Sequence, residues 1–265
     1  MKGLFKDCSN LENIDLGKFD TSNVTDMSYM FAGCNLLKDL DISQLDTSNV
    51  QKMNNMFEEC NSIEKLTLGK IDTSNVTDMS YMFASCNLLK DLDISQLNTS
   101  NVQKMNNMFR DCNTVKKLDL NNFDTSNVTL MNSMFSGCTN LQELSIDNFN
   151  TSNVLNMECM FGGCESLTSI NAAVFNVENV NSVEYMFSGC AKLKELDLSS
   201  WNMRNAKLRG YSLLSGCSSL EKINTPINLY CDIRMDYTYV DGKGTVYTSL
   251  PMDNTESIVL YKVSK

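Results

Sequence analysis

The sequence predicts an α/β repeat solenoid, a right-handed stack of about nine 26-residue strand-turn-helix units with a β-rich C-terminal cap. Three observations carry this. Cys8, Cys34, Cys60, Cys86, Cys112, Cys138, Cys164 and Cys190 recur every 26 residues, and Cys217 follows after 27. The apolar positions keep the same beat: three residues past each cysteine stand Leu11, Leu37, Ile63, Leu89, Val115, Leu141, Leu167, Leu193 and Leu220. Residues 18–69 and 70–121 are nearly the same sequence, so pairs of units have duplicated together.

Each unit reads C-x-x-L-x-x-L-x-L-x-x-F-D-T-S-N-V-x-x-M-x-x-M-F-x-x. The L-x-L pair, as in Leu40-Asp41-Ile42, alternates with period 2 and predicts a short strand with one face inward. Asp20-Thr21-Ser22-Asn23 offers the short polar side chains that satisfy free N–H groups at a helix start, and this cap chemistry ties the threonine column inward. Val24, Met27, Met30, Phe31 and Cys34 are spaced by three or four, which predicts a short helix or 3₁₀ segment with one buried stripe. A unit of this size cannot hide its apolar stripe alone, so copies must stack.

The pattern decays toward the end, where Thr-Ser-Asn-Val becomes Val177-Glu178-Asn179-Val180 and then Met203-Arg204-Asn205-Ala206, and Leu213-Leu214 replaces Met-Phe. After Thr225-Pro226 it stops. Tyr237–Val240, the turn Asp241-Gly242-Lys243-Gly244 and Thr245–Thr248 predict a β-hairpin. Residues 1–225 are therefore read as the array and 226–265 as a β cap over its open end.

Composition removes several function classes. The 265 residues include no histidine, which takes away the usual general base, the commonest metal ligand and every Ser/His or Cys/His arrangement. No lysine or carboxylate constellation replaces it, so no catalytic, cofactor or metal residue is assigned. A net charge of −10 with dispersed lysines leaves no basic stripe for nucleic acid. No run of 18 apolar residues exists for direct membrane insertion, and Met1-Lys2-Gly3-Leu4-Phe5-Lys6 lacks the apolar stretch of a secretory signal.

The nine column cysteines, Cys8 through Cys217, are expected to be buried, reduced and packed as small hydrophobes, because no C-x-x-C zinc pair occurs. Cys159 and Cys231 lie off the column and are expected to be the exposed thiols. The methionine stripe shares the phase of valine and phenylalanine and is expected in the core.

With Met30-Phe31-Ala32-Gly33-Cys34 followed by Leu37, Leu40 and Ile42 in view, the chain resembles the BspA-like leucine-rich repeat surface proteins of bacteria. The F-D-T-S-N-V-x-x-M-x-x-M-F segment is similar to the variant seen in mycoplasma-type lipoproteins. The resemblance runs from Leu4 to about Ile223. It implies a leucine-rich-repeat-like fold, a cell-surface or secreted location and an adhesion module that binds host matrix, host cell-surface or bacterial proteins. Where the widespread leucine-rich repeat has Asn or Cys after the strand, this chain has Phe19, Leu45, Ile71, Leu97, Phe123, Phe149, Phe175 and Trp201. Free thiols keep a cytosolic or secreted scaffold or effector as the alternative.

The ligand is expected on the strand face, where Asp15, Asp39, Asp41, Asp91, Asp93, Asp119 and Asp197 project outward from the rungs. Stacked carboxylates repel one another and serve no packing purpose, which suggests a basic protein partner or a weakly held cation. Asp26, Lys52, Asp78 and Lys104 alternate in sign on the opposite, helix side and are expected to pair between rungs. The first unit begins mid-repeat at Leu4-Phe5-Lys6-Asp7-Cys8, so self-association through this N-terminal edge is expected.

Overall fold

The computed structural model describes residues 1–90, 92–205 and 208–263. The chain is a repeat solenoid with one continuous apolar core along its length. Its strongest wall is built from the segment predicted to be helical, and that prediction is corrected: no α-helix occurs among the described residues.

The segment folds instead as overlapping turns. Met30 N–H donates to the Met27 carbonyl at 3.2 Å, Ala32 N–H to Tyr29 at 3.2 Å and Cys34 N–H to Phe31 at 3.1 Å. Tyr29 and Gly33 have φ of 60° and 75°, the left-handed backbone that a type II turn needs at its third position and a helix cannot hold. The alternate N–H groups point out of the rung. Met27, Tyr29, Phe31 and Gly33 donate to the carbonyls of Lys52, Asn54, Met56 and Glu58 at 2.8–3.0 Å. With Ser28 N–H on Asp26 Oδ1, every amide from Met27 to Cys34 is therefore used, half within its rung and half to the next.

This turn wall carries the unbroken parallel column. Bridges run from Asp26 through Lys52, Asp78, Lys104, Leu130, Asn156 and Ser182 to Arg209. Among the described residues the L-x-L strands form three parallel pairs, β1 (Asp39–Asp41) with β2 (Lys65–Thr67), β3 (Lys117–Asp119) with β4 (Glu143–Ser145), and β5 (Glu195–Asp197) with β6 (Lys222–Asn224), and residues 169–171, between β4 and β5, are not strand. The expectation of one continuous strand sheet is thus corrected. Between β4 and β5 the rung carries a 3₁₀ turn at Ala172–Val174, and the indole Nε1 of Trp201 donates to the Ala172 carbonyl at 2.9 Å.

At the C-terminal end β7 (Arg234–Val240) and β8 (Val246–Ser249) form the hairpin, slightly longer than the sequence suggested. β9 (Val259–Lys262) pairs antiparallel with both β6 and β7, so the last strand of the array is not left as an open edge.

Two ladders run inside the turn wall. Phe5, Phe31, Phe57, Phe83, Phe109, Phe135, Phe161 and Phe187 stack with centroids 5.4–6.0 Å apart and planes within 15°, and Trp201 closes the stack on Phe187 at 6.2 Å. Beside them each of the eight column cysteines from Cys34 to Cys217 donates its Sγ–H to a phenylalanine carbonyl one rung back, at 3.0–3.2 Å. The Phe31 carbonyl accepts both Cys34 N–H and the Cys60 thiol. The column therefore needs a side chain that is small, apolar and still a weak donor, which is what cysteine is.

Burial pushes these thiols up, Cys34 to about 11 and Cys60, Cys112, Cys164 and Cys217 to about 12, so they stay protonated and able to donate. All eleven cysteines are free. Two expectations about them are corrected. Cys8, in the incomplete first rung, is exposed; Cys159 and Cys231 are only half-buried.

Candidate functional site: the strand face

In β1 the alternation of a short strand buries Leu40 and exposes Asp39 and Asp41. Asp15, Asp93, Asp119 and Asp197 are exposed in the same way, so the rungs place these six predicted residues on one surface. Asp91, the seventh, lies outside the described residues.

The column between the paired leucines has a structural task that its sequence reading denied. Asp15 Oδ1 accepts Gly17 N–H at 2.9 Å, Asp41 accepts Ser43 N–H at 2.9 Å, Asp93 accepts Ser95 N–H at 3.0 Å, Asp119 accepts Asn121 N–H at 3.2 Å and Asp197 accepts Ser199 N–H at 2.9 Å. Each carboxylate closes the turn that ends its strand segment. The Ser43 and Ser95 hydrogen bonds hold Asp41 and Asp93 below the usual carboxylate range. For Asp197 desolvation pushes upward, but the bonds from Ser199 and Asn224 and the charge of Lys222 outweigh it and the net shift is downward. Asp41, Asp93 and Asp119 use Oδ1 for this bond, and their Oδ2 atoms have no hydrogen bond among the described residues.

The neighbouring column is mixed in sign. Asp39 stands in register with Lys65, Lys117 pairs with Glu143 at 3.0 Å and Lys222 with Glu195 at 3.2 Å. The face is thus a carboxylate column flanked by a column of alternating charge. Around the bend, the F-D-T-S-N-V motif is consumed by stacking. Thr73 Oγ1 accepts Asn98 N–H at 2.7 Å and donates to the Asn98 carbonyl at 2.8 Å, and Asn75 Nδ2 donates to the Ser48 carbonyl at 2.8 Å. The threonine column is buried, as its cap chemistry predicted.

On the turn wall, Asp78 and Lys104 approach to 3.6 Å, while Asp26 also accepts Ser28 N–H at 2.9 Å. At the N-terminal edge Leu4 is 47% exposed. Among the described residues, no cluster of three or more Cys, Asp or Glu could hold a metal ion, and no helix is long and apolar enough to cross a membrane. A cleft at the C-terminal end of the turn wall, lined by Arg209, Tyr211, Ser212 and Cys231, was not anticipated from sequence. The signal for it was the loss of an apolar side chain at Gly210, where the two preceding rungs have Met157 and Val183.

Fold and surface together define a repeat solenoid, with its inner side chains committed to stacking and a repeated polar face outside. The chain belongs to the family described as Mycoplasma protein of unknown function, DUF285, whose pattern matches residues 1–118 and 105–225. This agrees with the resemblance of its F-D-T-S-N-V-x-x-M-x-x-M-F units. No curated protein matches the chain.

Among solved structures, it is similar to a leucine-rich repeat protein from Bacteroides ovatus ATCC 8483, with 19% identity over 76% of this chain and 58% of that one and a TM-score of 0.42. It is similar to a leucine rich cell surface protein from Faecalibacterium prausnitzii A2-165, with 20% identity, 84% and 68% coverage and a TM-score of 0.39. A functional domain of InlJ from Listeria monocytogenes, which includes a cysteine ladder, matches at 14% identity, 92% and 60% coverage and a TM-score of 0.18. The chain spans less than two thirds of the length of the Bacteroides protein.

Proposed function

We propose that the chain is a non-catalytic protein-interaction or adhesion module of a bacterial cell-surface protein, presenting its strand face to a host or bacterial protein. In this reading residues 1–225 are the array and 226–265 its cap. The supporting observation is the surplus of charge on that face. Asn98 Oδ1 accepts Ser100 N–H at 3.1 Å in the same kind of turn that Asp20 makes with Ser22 at 3.1 Å, so closing the turn needs an oxygen and not a charge. Asp15, Asp39, Asp41, Asp91, Asp93, Asp119 and Asp197 are accordingly the ligand-binding candidates, suited to a basic protein surface.

Adhesion of the purified chain to epithelial monolayers and immobilised matrix proteins tests this. The triple variant D41N/D93N/D119N keeps the turn oxygens and removes three charges, so binding should fall, and the wild-type signal should fall with added salt. D26N/D78N on the turn wall should bind as the wild type does. Equal loss in both variants, or loss in neither, would remove the strand face from the account.

The cytosolic or secreted scaffold is favoured by one observation, the eight buried, reduced thiols of the ladder, since free thiols are commonest in reducing compartments. Biotinylation of intact source cells separates the two readings: a labelled chain supports the surface, a protected one the scaffold.

A further inference from the structure

In each rung of the turn wall one N–H runs back, as Gln51 to the Thr25 carbonyl at 2.8 Å, and the four alternate amides that come after it all donate to the rung that follows. Val183, Tyr185, Phe187 and Gly189 give their N–H groups to the carbonyls of Arg209, Tyr211, Leu213 and Ser215 at 2.7–3.1 Å. The equivalent donors in the last rung are Gly210, Ser212, Leu214 and Gly216, and no further rung follows. The protein closes this row only in part. Gly216 N–H goes to Asp236 Oδ2 at 2.6 Å, and the same oxygen accepts the Ser215 hydroxyl at 3.3 Å. Gly210 lies under Ile233 and beside the Cys231 sulfur, close enough that a Cβ on the glycine would meet Ile233 Cδ1 at 2.6 Å.

The N–H groups of Ser212 and Leu214 have no acceptor among the described residues. A cleft of about 540 Å³ opens at this point, lined by Arg209, Tyr211, Ser212, Ser215, Arg234 and Asp236 among others. Arg234 is held by Asp232 at 3.2 Å, whereas Arg209 makes no ion pair among the described residues. The Tyr211 side chain is 72% exposed beside it.

We propose that this cleft binds a carboxylate carried by a peptide, on the Ser212 N–H group, with Arg209 as the counter-charge. Two observations favour a carboxylate over another acceptor. The one axial donor of the row that a polar group closes, Gly216, is closed by a carboxylate. Arg209, which makes no ion pair among the described residues, lines the same cleft and supplies the positive charge that a carboxylate needs. The Tyr211 ring offers the peptide an apolar platform with a polar tip. This site is separate from the strand face and stands or falls without it.

Titration of the isotope-labelled chain with the peptide acetyl-Gly-Asp-Gly-amide tests the proposal, with acetyl-Gly-Asn-Gly-amide as its neutral twin. The Ser212 amide resonance should move saturably with the aspartyl peptide and stay in place with the asparaginyl one. Arg209→Gln, at an exposed position, should weaken the aspartyl peptide by about tenfold, the loss of one charge-assisted contact. No saturable movement at millimolar peptide would overturn the proposal. So would equal movement with the neutral peptide, which would mark backbone addition to the row, or an unchanged affinity in Arg209→Gln.

Discussion

At the scale of single residues, the 26-residue period is a list of hydrogen-bond duties. Thr73 shows this best, because its hydroxyl satisfies both the N–H and the carbonyl of Asn98 in the next rung. Thr73→Val keeps the shape and removes both bonds, and should destabilise the chain by about 1–3 kcal/mol in urea unfolding, while Thr73→Ser should recover most of the loss. The cysteines make a second prediction. Their folded values lie above the ordinary 9.0, at about 12 for Cys60 and Cys112, so the unfolded chain loses these protons first as pH rises. Their contribution to stability is complete below about pH 9 and is lost as pH climbs toward 12; unfolding under reducing conditions should show that decline, less steep in Cys112→Ala. Alkylation of the native chain should label Cys8 first, then Cys159 and Cys231, and the remaining eight only on unfolding. The inward leucines, phenylalanines and cysteines were legible because period alone fixes them. The aspartate column was misread, although D-x-S in Asp41-Ile42-Ser43 and Asp93-Ile94-Ser95 is itself a turn signature.

At the scale of the element, the segment from Val24 to Cys34 shows why spacing misleads. Overlapping four-residue turns and a helix both return apolar side chains every three or four positions, so the period could not separate them. Glycine could have done so. Gly33, Gly137, Gly163, Gly189 and Gly216 occupy one column directly before the column cysteine, inside the predicted buried stripe, all at φ of 75–77°. Other rungs place Glu59, Ser85 and Asp111 in that column at φ of 57–60° and bear the strain of left-handed backbone. Glu59→Gly should therefore stabilise the chain by about 0.5–1 kcal/mol, the relieved strain less the added freedom of the unfolded glycine. Gly163→Ala should cost about 1–2 kcal/mol, since its Cβ would sit in left-handed backbone 3.5 Å from the Gly137 nitrogen. Thermal unfolding of the two variants decides both signs.

At the scale of the molecule, stability is a sum over rungs and the contacts between them, because each rung bonds and stacks only on its neighbours. Excising residues 70–121, one copy of the duplicated pair, should leave a shorter chain that still unfolds cooperatively, whereas excising half a unit breaks the register of both ladders. The number of units and their inward faces could be read from sequence. The direction of the hydrogen bonds could not, because it depends on turn type, and with it went the unclosed row at Ser212 and Leu214. The account rests on the claim that rungs are joined amide to carbonyl along the solenoid axis through the turn wall. Scalar coupling across hydrogen bonds measures this directly in the labelled chain. The account predicts coupling from the Phe57 amide to the Met82 carbonyl, one rung on, where the two atoms lie 3.0 Å apart. Coupling from Phe57 to Met53, four residues back as in a helix, would contradict it.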